Sequence, residues 1–231
     1  MSAGPLGALT GAGVCLLAAP YLARLTLSVP DRTDAVWWRG RPARGRRLAL
    51  TALTALLLGG LAGHAAGWSA LLPAFVMLAL AATPLVLIDL EHHRLPDRLV
   101  FPAGAGAAVL LGVAALVRHD WALWLRGGQG AAAVFAVLAV LWLISPRSFG
   151  LGDVKLGAVL GAYLGWFGWS YVCYGIFAGF LLGTVAALAL LASRRAALQS
   201  AIAFGPMLVL GALLAIVAGD VSGFEAAAAA T

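Results

Sequence analysis

The stretch 145–158, SPRSFGLGDVKLGA, separates two strongly apolar segments and places a carboxylate, Asp153, straight after a Gly-Leu-Gly turn. Its apolar flanks set the fold class. Of the 231 residues, 63% are hydrophobic and only 10% are charged, against about 25% charged in an ordinary soluble domain. Mean hydropathy is +0.99. Such a chain has the bilayer as its main solvent, and its backbone must satisfy itself through helices. The expected fold is an all-α polytopic membrane protein.

Apolar runs of roughly 20 residues are needed to cross the hydrocarbon core. Eight are legible, at about 5–27, 48–64, 69–90, 98–117, 128–144, 154–167, 169–192 and 204–220. The sixth is short, and its separation from the seventh rests on the turn GWFGWS at 165–170. Without that turn the count falls to six or seven. Residues 1–47 then hold the first span and a basic loop, 48–220 the transmembrane core, and 221–231 a tail. The N-terminus lacks a basic n-region and is read as the first span, not as a cleaved signal.

Basic residues orient the bundle. With the N-terminus outside, all but Arg118 and Arg126 of the fifteen Lys and Arg residues fall on the cytoplasmic side, as the positive-inside rule requires. Trp121 and Trp124 then flank an outer loop, and Trp37 and Trp38 an inner one. The net charge of +6 is therefore topological, and no nucleic-acid partner is expected. The polar loop SVPDRTDAVWWRGRPARGRR, 28–47, lies on anionic headgroups in this reading, making membrane lipids a partner. Glycines spaced by four, at 157, 161 and 165, at 175, 179 and 183, and at 59 and 63, are expected to pack helices closely. Cys15 and Cys173 fall inside apolar runs and suggest neither disulfide nor metal.

Asp89, in LVLIDLEHHRLPDRL at 85–99, and Asp153 stand out among the nine acids. Asp89 ends the third span and Asp153 opens the sixth, so the arginine-based topology brings both to one membrane face. Ionisable groups at membrane depth mark function or pairing. Two carboxylates in a partly dehydrated site tend to share one proton, the arrangement that aspartic proteolysis uses. Taken alone, Asp153 reads as a helix N-cap; with Asp89 on the same face the paired reading is stronger. Asp153 at a helix N-terminus is favoured as the charged partner by about 0.3–1 kcal/mol, and Asp89 at a C-terminus as the proton holder. Gly150 and Gly152 are expected to supply unusual backbone angles and close substrate approach.

GLGDVKL (150–156), DLEHHRLPDRL (89–99) and FGP (204–206) together resemble the signatures of bacterial prepilin peptidases, within the wider group of GxGD intramembrane aspartyl proteases. The resemblance covers roughly 72–212, with the blocks in order. It implies cleavage of the basic leader of type IV pilin-like precursors, just after a glycine, at the cytoplasmic face of the bacterial inner membrane. Asp89 and Asp153 match the two catalytic aspartates, and no cofactor is implied. Larger members carry a cytoplasmic insertion whose paired CxxC motifs bind zinc and help N-methylate the new N-terminus. The 28–47 loop holds no cysteine, so no metal is expected there and nothing in the sequence supports methylation.

Neighbouring residues admit plainer readings. His92 and His93 point about 100° apart on a helix, poorly placed to share a metal. Lys155 and Arg94 flank the aspartates as charged anchors, or as supports for an aspartate's charge. Glu91 and Asp97 are candidates to attract a basic leader, and Pro96 to break the third helix. GWSA at 67–70 lacks a basic partner for a serine protease. A transporter or assembly subunit would show midplane charges and repeated halves, which the sequence lacks. A GxGD protease acting on signal peptides would carry PAL where this chain has FGP.

Overall fold

The structure, a computed structural model, describes residues 3–29, 43–146, 149–192 and 203–221. Every regular element among them is an α-helix, and there are eight: α1 (Ala3–Ser28), α2 (Arg46–Ala66), α3 (Leu72–His92), α4 (Asp97–Arg118), α5 (Trp121–Ile144), α6 (Leu151–Phe167), α7 (Trp169–Ala192) and α8 (Gly205–Val221). Six of them are long and apolar enough to cross a membrane. The other two, α6 and α8, have 17 residues each, or about 25 Å of helix. The expectations for Trp37, Trp38, the loop from 30 to 42, and the tail beyond 221 lie outside the described residues, as does Arg147.

The chain divides into two compact units, Met1–Trp124 and Leu125–Thr231. In the first, α1 packs on α2 and α3, and α3 on α4. Spaced glycines make the α1–α2 contact possible, since a Cβ on Gly59 would stand 2.5 Å from the Gly11 carbonyl oxygen. In the second, α7 packs on α8, and α6 on both. Here a Cβ on Gly161 would lie 2.6 Å from the oxygen of Gly130 on α5. The small-residue spacing is thus used for backbone-to-backbone packing, which stands in for the hydrophobic drive that lipid does not supply.

The turn at GWFGWS separates α6 from α7. Gly168 has φ 144° and its N–H bonds to the Leu164 carbonyl at 3.1 Å; a side chain there would be strained. Two boundaries depart from the sequence reading. Helix α5 starts at Trp121 and not at 128, so Trp121, Trp124 and Arg126 belong to the helix and not to a loop. The glycines of RGGQG resemble a break, but Gly127 and Gly130 face the backbone of α6. Helix α3 ends at His92, and its C-cap, His93, adopts left-handed angles, φ 51° and ψ 44°. Pro96 does not end it; it is the N-cap of α4.

Candidate active site

Asp153 sits in the first turn of α6, whose N-cap is Gly150. The capping reading of Asp153 is thereby corrected: it is the third helical residue, and its amide donates to the Gly150 carbonyl at 3.1 Å. The position still meets the positive end of the helix dipole. Its side chain is buried, with 9% exposed. Gly150 has φ −83° and ψ 139°, angles open to any residue, and Gly152 lies within the helix. The expected special backbone angles are therefore absent. What Gly150 provides is room, because a Cβ there would lie 3.1 Å from Oδ2 of Asp153.

An aromatic cluster holds this turn. Phe149, next to Gly150, meets Phe204 edge-on with ring centroids 5.3 Å apart and stacks on Phe180 at 6.5 Å. Phe204 and Phe180 are 4.9 Å apart. Phe204 opens the FGP block at the start of α8, and Phe180 belongs to α7. Two remote sequence blocks thus meet through their phenylalanines, a role that the sequence reading missed for Phe149 and Phe180. Lys155 is half-buried, two residues beyond Asp153 and about 200° further round α6, so it does not share Asp153's face.

In the first unit, Asp89 lies one turn from the C-terminal end of α3 and is 4% exposed. Its carbonyl accepts the His93 amide at 2.8 Å, and His93 Nδ1 lies 3.2 Å away. Glu91, a candidate to attract a basic leader, is paired with Arg47 of α2. That guanidinium also donates to Oγ1 of Thr26 at 2.8 Å and to the Thr26 carbonyl at 3.1 Å. One side chain therefore joins the ends of α1, α2 and α3. Glu91 and Asp89 are about 200° apart on α3, so this clamp fixes the helix's rotation from the face opposite Asp89. His92, Arg94 and Asp97 are exposed.

A profile of the type IV leader peptidase family matches residues 74–188, a span that includes Asp89, the GLGD turn and Asp153. The chain belongs to this family. Among curated relatives, a protein named prepilin leader peptidase/N-methyltransferase from Pseudomonas aeruginosa is 30% identical over 187 residues, covering 78% of this chain and 61% of the relative. One of the same name from Aeromonas hydrophila is 32% identical over 197 residues, 80% of this chain and 64% of its own. The Bacillus subtilis relative is 29% identical over 153 residues, 65% and 57% of the two chains. The chain thus spans less than two thirds of these leader peptidases. No solved structure matches it significantly.

Proposed function

We propose that the chain is a membrane aspartic endopeptidase that removes the leader of type IV prepilin-like precursors, using Asp89 and Asp153 as a dyad. The observation that carries this reading is the burial of two aspartates at helix ends, 4% and 9% exposed, within the segment matched by the leader peptidase profile. In the dyad, one carboxylate takes a proton from water as it attacks the scissile carbonyl. The other, protonated, polarises that carbonyl and then supplies the amine's proton. Helix polarity assigns the base role to Asp153, at an N-terminus, and the acid role to Asp89, at a C-terminus.

The basic residues orient the dyad to the cytoplasmic face of the bacterial inner membrane. Substrates are pilins, Flp-type pilins or pseudopilins, whose basic leaders lie on that side. The relatives' second named activity, N-methylation, is not carried over, because the 28–47 loop holds no cysteine. The test uses purified protein and a pilin-like precursor carrying its leader and first apolar segment, with products identified by mass. A new N-terminus directly after the leader's glycine supports the reading. Intact precursor, alongside cleavage of signal-peptide remnants, assigns the chain to other membrane substrates.

A further inference from the structure

Arg126 is a cation in the first third of α5, in a segment otherwise apolar or glycine-rich. Its Nε donates to the Gly165 carbonyl at 2.9 Å and its Nη2 to the Trp166 carbonyl at 2.5 Å. Both acceptors belong to the last turn of α6, where carbonyls lack an amide four residues on. The cation also faces the negative end of that helix's dipole. A guanidinium suits two neighbouring carbonyls because its donors form a fixed planar fork, which an ammonium lacks. Left unpaired at membrane depth, the same charge would be costly.

The surrounding contact is nearly bare backbone. A Cβ on Gly127 would lie 3.0 Å from the Ala162 oxygen, and one on Gly130 would lie 2.5 Å from that of Gly161. A Cβ on Gly165 would meet the Arg126 carbonyl at 2.6 Å. Nearer Asp153, Leu138 fills the space beside Gly157. At the other end, beyond Val134 beside Gly161, glycine on glycine offers no interlocking side chains to stop one helix sliding along the other. The two arginine bonds supply that stop.

We infer that Arg126 is a positioning residue that fixes the axial register of α6 on α5, and thereby the depth at which Asp153 is presented. The inference rests on the reading of Asp153 as catalytic. Arg126 acts at a distance: Gly165 and Asp153 are separated by about 18 Å of helix. A helix that short moves as a rod, so loss of the stop at one end lets it tilt about the Leu138–Gly157 contact and shifts the carboxyl at the other. A misplacement near 1 Å can cost about 100-fold in rate.

The test pairs kinetics with a readout that needs no catalysis. Leu151, the first residue of α6, is 47% exposed. Leu151→Cys in a Cys173→Ser background reports the position of that end through its maleimide labelling rate, since Cys15 is fully buried. Arg126→Gln is expected to change the labelling rate at least about threefold and to lower kcat about 10- to 100-fold, with KM within about twofold. Arg126→Lys, which keeps the charge but not the fork, is expected to fall between Gln and wild type. Unchanged labelling and kcat in a folded Arg126→Gln protein overturn the inference. Should that variant fail to fold, Arg126→Lys decides: reduced kcat with altered labelling supports the role, and wild-type behaviour overturns it. A labelling shift in a protein whose wild type cleaves no precursor keeps the register role and refutes the proposed peptidase.

Discussion

The Oδ2 atom of Asp153 occupies space that a side chain at Gly150 would take, 3.1 Å from where a Cβ would stand. Yet the Gly150 backbone angles suit any residue. Gly150→Ala is therefore expected to separate stability from activity. Stability should stay within about 1 kcal/mol of wild type, because the gain from restricting the unfolded chain is offset by the shift forced on the buried carboxylate. The displaced carboxylate should lower kcat about 10- to 100-fold. Thermal unfolding in detergent and precursor cleavage on the same preparation check both halves; full activity in the variant would contradict the packing argument.

Phe204 holds Phe149 and Phe180 at 5.3 and 4.9 Å, and Phe149 leads directly into the GLGD turn. Aromatic pairs contribute about 0.5–1.5 kcal/mol each beyond area burial, so Phe204→Ala should cost at least about 1–3 kcal/mol. Because the cluster holds the turn before Asp153, cleavage should fall at temperatures where the variant remains folded. A variant that melts earlier but cleaves normally would confine the cluster to a packing role.

Arg47 serves three helices while its ion-pair partner serves one contact. Arg47→Met removes the bonds to Thr26 and strands Glu91, for an expected loss of about 1.5–3 kcal/mol. Glu91→Gln leaves the Thr26 bonds in place, and its carboxylate is 43% exposed, so less than about 1 kcal/mol is expected. Chemical or thermal denaturation ranks the two variants. Equal losses would mean that the ion pair, and not the bridge to α1, dominates.

The eight helices were readable because apolar runs end at glycine, proline and charged turns, which lipid-spanning segments cannot hide. The blocks around Asp89 and Asp153 were readable for the same reason: charge is rare in such a chain. Boundaries failed where a residue's role is tertiary. RGGQG resembles a loop until α6 is packed against it, and a non-glycine residue such as His93 gives no sign that it will take left-handed angles. The meeting of Phe149, Phe180 and Phe204, and the reach of Arg47 and Arg126 to other helices, depend on three-dimensional neighbours that no spacing rule encodes. Gly150 stands out in the sequence for backbone freedom, yet its angles need none; what it contributes is absence of volume beside Asp153.

Co-expressing the chain with a pilin-like precursor, and measuring leader removal for wild type, Asp89→Ala and Asp153→Ala at matched membrane levels, decides whether the two aspartates act as a dyad. Complete processing by wild type and none detectable by either variant is the expected result. Processing that survives either substitution would contradict an aspartic dyad.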